Sequence, residues 1–201
     1  MRKIIYTVFT ASLLLAGCVS TATDQQPVVR QKEQIESASP KINRQPSMEL
    51  VQSVEGEEEV VTMDLVIGHN SLYSMYIDAE RYQLDEEDKK DVLSPVVSVP
   101  DGYPEVKMEI LYIEERNPDR VKNDFEKEYD FSLEEEQVTE PVNSISLHGT
   151  SGTTPDSVVV TIYLLDAFGG TLLIKETYFL EAQEGHGARF EQILKTLELN
   201  E

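Results

Sequence analysis

The sequence has no tryptophan, a single cysteine and only three histidines among its 201 residues. A lone cysteine excludes an internal disulfide framework of the kind that stabilises small secreted domains, because such a framework needs pairs. Sugar-binding sites stack their ligands on aromatic faces, for which tryptophan is best suited, so its absence weighs against glycan binding. Tyr76, Tyr82 and Tyr103 are the candidates left for that role.

Positive charge is scarce as well. Lysine and arginine number 17 against 38 aspartates and glutamates, which leaves a formal net charge of −21 at pH 7. A field of this sign repels phosphate backbones and anionic headgroups, so we expect no nucleic-acid partner. The same field attracts cations and basic protein surfaces, although solubility alone also explains an acidic surface.

The histidines and the acidic clusters lack the spacings of a metal site. His69, His148 and His186 each lie beside a glycine, with no second histidine at i+4 and no spaced carboxylate ligand. Three acidic clusters are present, at residues 55–59, 85–91 and 134–136. None has the alternating oxygen ligands, central glycine and final bidentate carboxylate of a calcium loop. We therefore expect solvated charge runs, with no metal and no cofactor.

The longest apolar run lies near the start of the chain. Residues 4–15 follow Arg2 and Lys3 and lead into Leu15-Ala16-Gly17-Cys18, an order typical of a secretory signal peptide. Even counted as far as Val19 the run has 16 residues, fewer than the roughly 20 of a spanning helix. The LAGC motif resembles the lipobox of bacterial lipoprotein precursors, and the resemblance covers residues 1–18.

This resemblance implies removal of residues 1–17 as a signal peptide and lipidation of Cys18 on its sulfur and its new amino group. Two or more acyl chains hold a protein stably, whereas one chain holds it marginally. We therefore expect a protein anchored through Cys18 on the extracytoplasmic face of the cell membrane, or in the outer membrane of a two-membrane host. An uncleaved anchor and a conventional cleavage site are the alternatives.

Residues 18–59 have no aromatic side chain and are rich in Gln, Ser, Val and Glu. Such a segment buries too little apolar surface to offset its ordering entropy, so it is predicted to be a disordered tether. Met48, Leu50, Val51 and Val54 leave open one helical turn or an edge strand near its end.

From residue 60 the pattern changes to alternation and turn signals, which predicts one globular domain over residues 60–201. Residues 60–67 and 72–77 are predicted to form a hairpin around a turn cluster. Residues 85–91 are predicted to be a charged loop or a short helix. Further strands are predicted at residues 106–112, 144–147, 158–165 and 171–180, the last two joined by a glycine-containing hairpin connection.

Two helices are predicted. The first begins at Asn117-Pro118-Asp119, which supplies a capping side chain, a first-turn proline and an acid at the positive end of the helix dipole. Val121, Phe125 and Tyr129 form its apolar stripe, so we place it at residues 117–131. The stripe of the closing helix is Phe190, Ile193, Leu194 and Leu197, at i, i+3, i+4 and i+7.

Hairpin-linked strands with two helices predict an α+β fold, with an antiparallel sheet of about six strands packed by both helices. The element order over residues 60–199 resembles the PsbP/Mog1-like family. The matching pieces are residues 72–82, strand 106–112, the helix from Asn117, and the meander and helix from Val158 onward. Residues 76–82 lack the proline and tryptophan that members often carry there. The resemblance implies a compact binding or accessory module used mostly with protein partners.

No catalytic constellation is evident in the sequence. Residues 149–153 approach the G-x-S-x-G nucleophile elbow, but residue 153 is threonine and Pro155 follows in place of a helix. We therefore expect a non-catalytic, lipid-anchored module that binds a protein or peptide partner, with the charge favouring a basic one. The alternative is a small-ligand or cation-binding lipoprotein, or a degenerate enzyme, with a pocket between the sheet and helix 117–131.

Overall fold

The computed structural model describes residues 42–54, 56–125 and 128–200. The predicted signal peptide, Cys18 and most of the predicted tether lie outside these residues, so lipidation stays a prediction. Within the described residues the chain forms eleven strands in two antiparallel sheets and two α-helices. The sheet-rich α+β class is therefore confirmed. No helix of this part of the chain is long and apolar enough to cross a membrane.

The first sheet has four strands in the order β1-β2-β3-β11. They are β1 (Ser47–Val54), β2 (Glu57–Ile67), β3 (Tyr73–Ile77) and β11 (Glu198–Leu199). The β2–β3 hairpin follows the prediction, with a 3₁₀ turn at His69–Ser71 between the strands. Alternation along β2 places Met63 in the core, fully buried.

β1 corrects the predicted boundary of the domain at residue 60. Residues 47–59, predicted to belong to the disordered tether, contain β1 and the start of β2, and residues 47–54 pair with residues 57–64 as a hairpin. Of the two alternatives left open for Met48, Leu50, Val51 and Val54, the edge strand is present, and Met48 and Leu50 pack against the core. Upstream of β1, the Arg44 guanidinium donates to the carbonyls of Ser74 and Thr196 and lies 4.4 Å from the Tyr76 ring centroid.

The second sheet has seven strands in the order β4-β5-β6-β10-β9-β8-β7. The strands are β4 (Tyr82–Glu87), β5 (Lys90–Pro95), β6 (Lys107–Ile113), β7 (Glu134–Val138), β8 (Ser144–Thr150), β9 (Val158–Ala167) and β10 (Gly170–Phe179). The β9–β10 hairpin is tighter than predicted. Its two-residue loop, Phe168 and Gly169, has positive φ at both positions, which matches the twist of the flanking strands.

The prediction of a single sheet of about six strands is therefore wrong, because the strands form two sheets. Residues 85–91 form the β4–β5 hairpin, not a loop or short helix, and the turn at Asp88 takes positive φ. Residues 134–136 begin the edge strand β7. Both runs are highly charged, and their strand character comes from antiparallel pairing of β4 with β5 and of β7 with β8, which the charge pattern does not show.

The two α-helices are α1 (Pro118–Phe125) and α2 (Ala188–Leu194). As predicted, the Asn117 side chain accepts a hydrogen bond in the first turn of α1, from the backbone N–H of Arg120 at 3.1 Å. The helix ends at Phe125, and Tyr129 lies beyond it. In α2 the predicted residues Phe190, Ile193 and Leu194 are fully buried. Their helix contacts mainly β1 and β3 of the four-stranded sheet, whereas the sequence predicted one sheet packed by both helices.

The seven-stranded sheet is covered differently on its two faces. On one face, Leu172 and Ile174 join the main core with residues of the four-stranded sheet and α2. On the other face, Leu173 joins a smaller core under Val121 of α1. The side chains of β8 also alternate between the two faces. Leu147 faces the smaller core, whereas Ser144, Ser146 and His148 face the opposite side.

Candidate functional site

A cleft of about 910 Å³ opens on the main-core face of the seven-stranded sheet. Side chains of β8, β9 and β10 form its floor, and β7 borders it at the edge of the sheet. The rest of the lining comes from the 3₁₀ turn Leu180–Ala182, the π-helical turn Gln183–Gly187 and the start of α2. Its volume is in the range of sites that bind small ligands or side chains.

We call this cavity the acidic cleft, because its lining is rich in glutamate. The glutamates are Glu134, Glu135, Glu136, Glu140, Glu176, Glu181, Glu184 and Glu191. No lysine or arginine is found among the described residues that line it. Two of the carboxylates have basic partners outside the lining, with Lys122 at 2.8 Å from Glu135 and Lys195 at 2.7 Å from Glu191. Clustered charge of one sign in a concave surface attracts ligands of the opposite sign.

A row of four polar residues crosses the floor of the acidic cleft. In the strand register Glu134 pairs with His148, His148 with Thr161, and Thr161 with Glu176. Directly paired residues project on the same face of a sheet, so these four side chains belong to one surface. His148 Nδ1 lies 2.9 Å from the Thr161 hydroxyl oxygen, which holds the imidazole against the floor.

Glu176 is the most buried member of this row. Its side chain lines the acidic cleft, the residue is only 3% exposed, and its Oε1 has no hydrogen-bond partner. Burial, with a smaller contribution from the charge of Glu191, raises the pKa of Glu176 to about 8. At neutral pH this carboxyl is therefore mostly protonated, and it retains hydrogen-bonding capacity that the fold does not use.

Two tyrosines accompany Glu176 on the floor. Tyr178 lies two residues after Glu176 on β10. Tyr163 on β9 pairs with Ile174, which lies two residues before Glu176 and faces the same side of the sheet. Burial, followed by the charge of Glu176, raises the pKa of both hydroxyls, that of Tyr178 to about 12. Both hydroxyls therefore stay protonated at neutral pH. The floor combines hydrogen-bonding groups with aromatic surface.

The residues considered as ligands from the sequence do not converge on a metal centre. His69 contacts Glu86 at 2.8 Å, His148 contacts Thr161, and His186 contacts the Tyr82 hydroxyl at 2.8 Å. Within residues 42–54, 56–125 and 128–200, no group of three or more His, Asp or Glu side chains is arranged to hold a metal ion.

The three acidic clusters also lie in different parts of the fold and do not form one site. Residues 134–136 line the acidic cleft, whereas residues 85–91 lie in the β4–β5 hairpin. From the first cluster, Glu59 forms ion pairs with Arg81 at 3.0 Å and Arg189 at 3.7 Å.

The other sequence candidates have structural contacts. Tyr82 is buried, Tyr76 lies under Arg44, and the Tyr103 ring packs on Phe179 at 4.7 Å. The Ser151 hydroxyl, in the loop that approaches a nucleophile elbow, accepts a hydrogen bond from the backbone N–H of Val158. The pocket expected beside α1 is present as a smaller cavity of about 540 Å³, lined by Lys122, Phe125, Tyr129 and their neighbours.

The sequence contains a signal for Glu176 that composition and motif searches miss. Strand β10 places Leu172, Ile174 and Tyr178 on one face, and Glu176 occupies the same phase of the alternation. A charged side chain at an apolar position of a strand predicts a buried carboxyl. Its neighbours in the acidic cleft follow only from the strand order, which the sequence does not provide.

Comparisons with known proteins leave function open. No family model matches the sequence, and no curated protein matches it. A solved structure from Bacteroides thetaiotaomicron VPI-5482 aligns with 68% of this chain at 11% identity, with a TM-score of 0.42. The chain spans about half the length of that structure, of which 48% is covered. The resemblances to lipoprotein precursors and to the PsbP/Mog1-like family therefore stay predictions.

Proposed function

We propose that this chain is a lipid-anchored extracytoplasmic lipoprotein whose non-catalytic domain binds a basic segment of a protein or peptide partner. The observation that carries the binding proposal is the acidic cleft, whose described lining contains eight glutamates and no lysine or arginine. One of the eight, Glu135, turns its side chain to Lys122 on the α1 face. The anchoring proposal depends on the LAGC motif that ends at Cys18.

A basic peptide suits this surface because the carboxylates are distributed over several elements. Glu134 and Glu136 lie on β7, Glu181 and Glu184 lie on the turns after β10, and Glu191 lies on α2. Separated anionic groups complement a chain that presents several cationic side chains at intervals. The resemblance to the PsbP/Mog1-like family, whose members act mostly with protein partners, supports the same choice.

The test measures binding of a fluorescent octa-arginine peptide by anisotropy, with its octa-citrulline analogue as the neutral reference. Exposed ion pairs contribute roughly 0.2–1 kcal/mol each. We therefore expect the double variant Glu134→Gln/Glu136→Gln to weaken binding about fivefold at physiological salt. The matched control is Glu114→Gln/Glu115→Gln, which removes the same charge from an exposed loop outside the acidic cleft.

The comparison of the two double variants separates site binding from general charge attraction. A control that loses as much affinity as the cleft variant would show that net charge alone holds the peptide. Equal binding of the citrulline peptide would contradict a cationic partner altogether.

A small ligand or cation is the second candidate, because about 910 Å³ is also the size of a small-molecule site. It predicts thermal stabilisation by a compound that is not a peptide. A ligand at 100 times its dissociation constant stabilises the folded state by roughly 2.7 kcal/mol. Calcium and short diamines are suitable probes, and stabilisation by either, without peptide binding, would favour this candidate.

A further inference from the structure

We propose that the floor of the acidic cleft around Glu176 is a subsite for one cationic side-chain group of the bound segment, a guanidinium or a primary ammonium. This inference rests on the proposed function, and it specifies where a single basic side chain is held and by which residue.

Glu176 differs from the other glutamates of the acidic cleft in its surroundings. Glu134, Glu135 and Glu136 are exposed, whereas Glu176 is 97% buried at the inner end of the cross-strand row. Its Oε1 is a buried acceptor without a donor. A ligand that brings an N–H group to the floor would supply the missing hydrogen bond, and a charged donor makes the stronger bond.

The hydroxyl donor paired with Glu176 in the strand register is already engaged. The Thr161 hydroxyl, its partner in the strand register, lies within hydrogen-bond distance of His148 Nδ1 and also interacts with Tyr178. No lysine or arginine belongs to the described lining of the acidic cleft. A bound ligand can therefore supply the donor for Glu176, and the surrounding carboxylates favour a cation over a neutral group.

The aromatic neighbours suit the same ligand. Tyr163 and Tyr178 are buried beside Glu176, and the face of a tyrosine ring attracts ammonium and guanidinium groups. A cation that enters the floor would exchange its hydration for a carboxylate and aromatic surface. The exposed glutamates of β7 would then bind further charges of the segment at the rim, with less selectivity.

Burial of Glu176 also gives the subsite a proton signature. The carboxyl is mostly protonated near neutral pH, because burial raises its pKa to about 8. To pair with a cation it must release this proton to the solvent, so binding is coupled to the loss of up to one proton. The titratable groups around it are Glu134, His148, Tyr163 and Tyr178 on the sheet, Glu181 and Glu184 on the turns, and Glu191 on α2.

The experiment measures heats of binding of octa-arginine, octa-lysine and octa-citrulline in PIPES and in Tris, two buffers with different ionisation enthalpies. The difference between the buffers gives the number of protons released. For the wild-type domain at pH 7 we expect close to one proton per cationic peptide. We expect Glu176→Gln to abolish this release and to bind at least tenfold more weakly near pH 8.5. Near pH 6 the two proteins should bind almost equally.

The outcomes distinguish the subsite from the acidic cleft as a whole. If Glu134→Gln/Glu136→Gln weakens binding while Glu176→Gln leaves affinity and proton release unchanged, the subsite is wrong and the proposed function stands. If neither cationic peptide binds the wild type, both are wrong. Comparison of the arginine and lysine peptides identifies the preferred group. The wild-type proton count needs no variant, so it tests the subsite even if Glu176→Gln folds poorly.

Discussion

Two glutamates buried in the seven-stranded sheet show how surroundings decide the state of a carboxyl. Glu109 on β6 contacts Lys90, Lys107 and Lys175 on the face opposite the acidic cleft. Burial opposes its ionisation, but the hydrogen bond from Lys90 and the charges of Lys175 and Lys107 lower its pKa overall. Glu176 is buried to a similar degree without a cation, and its pKa rises. The first carboxyl is satisfied by the fold, and the second is available to a ligand.

At the residue scale, we predict that Glu176→Gln removes a pH-dependent loss of stability. The folded protein holds this proton with a pKa of about 8, against an ordinary value of 4.5, so the folded state binds it more tightly than the unfolded state. The resulting stability is complete below the unfolded pKa and is lost as the pH rises towards about 8. The urea midpoints of the wild type and Glu176→Gln should therefore lie further apart at pH 8.5 than at pH 5. The variant should be the more stable protein at pH 8.5.

The exposed variant Glu114→Gln controls for the removal of one negative charge. If the difference between the urea midpoints of the wild type and Glu176→Gln stays constant from pH 5 to pH 8.5, the raised pKa of Glu176 is contradicted. Because glutamine has nearly the shape of a protonated glutamate, the variant tests the charge with little change in packing.

At the element scale, we predict that α2 is sensitive to truncation of its buried stripe. Leu194→Ala removes a fully buried side chain that lies in the core with residues of both sheets, and should cost about 2–5 kcal/mol. Lys195→Ala, one residue later on the exposed side, should cost less than about 0.5 kcal/mol despite its ion pair with Glu191. Urea denaturation of both variants makes the comparison. Equal midpoints would mean that α2 does not stabilise the domain.

The elements predicted from sequence are those whose signal is local. The α2 stripe, the start of α1 at Asn117 and the β2–β3 and β9–β10 hairpins each depend on spacing within about 20 residues. Strands β4, β5 and β7 were missed because residues 85–91 and 134–136 read as solvated charge. Their strand character comes from pairing, as with Lys90 at the buried Glu109. These pairings are as short in sequence as the predicted hairpins, but the charged runs lack the apolar alternation that would identify them as strands.

The acidic cleft was missed for a related reason. The acidic run at residues 134–136 is evident in the sequence, but only the strand register brings Glu134 into line with His148, Thr161 and Glu176. The alternation of β10 identifies Glu176 as an inward residue. It does not show which residues face it or that no base accompanies it. Strand order is a property of the whole sheet, so the site becomes visible only in the fold.

At the scale of the whole molecule, we predict that Cys18→Ser separates the protein from the membrane without altering the folded domain. A serine cannot take the thioether-linked diacylglycerol that the lipobox resemblance implies, and stable anchoring needs at least two lipid chains. Labelling with a fatty acid and membrane fractionation give the readout, and Ser20→Ala is the neighbouring control. Persistent labelling and unchanged cleavage would contradict lipidation at Cys18. The thermal unfolding midpoints of the wild type and Cys18→Ser should coincide.

Strand β7 is the outermost strand of its sheet, so one row of its backbone N–H and C=O groups faces no other strand in the described part of the chain. A second copy of the protein could add to such a border and begin an aggregate. Glu134, Glu135 and Glu136 oppose this, because two copies brought edge to edge would place like charges together. The glutamates proposed for partner recognition thus also oppose edge-to-edge association, and a bound polycation that neutralises them would remove this protection until it dissociates.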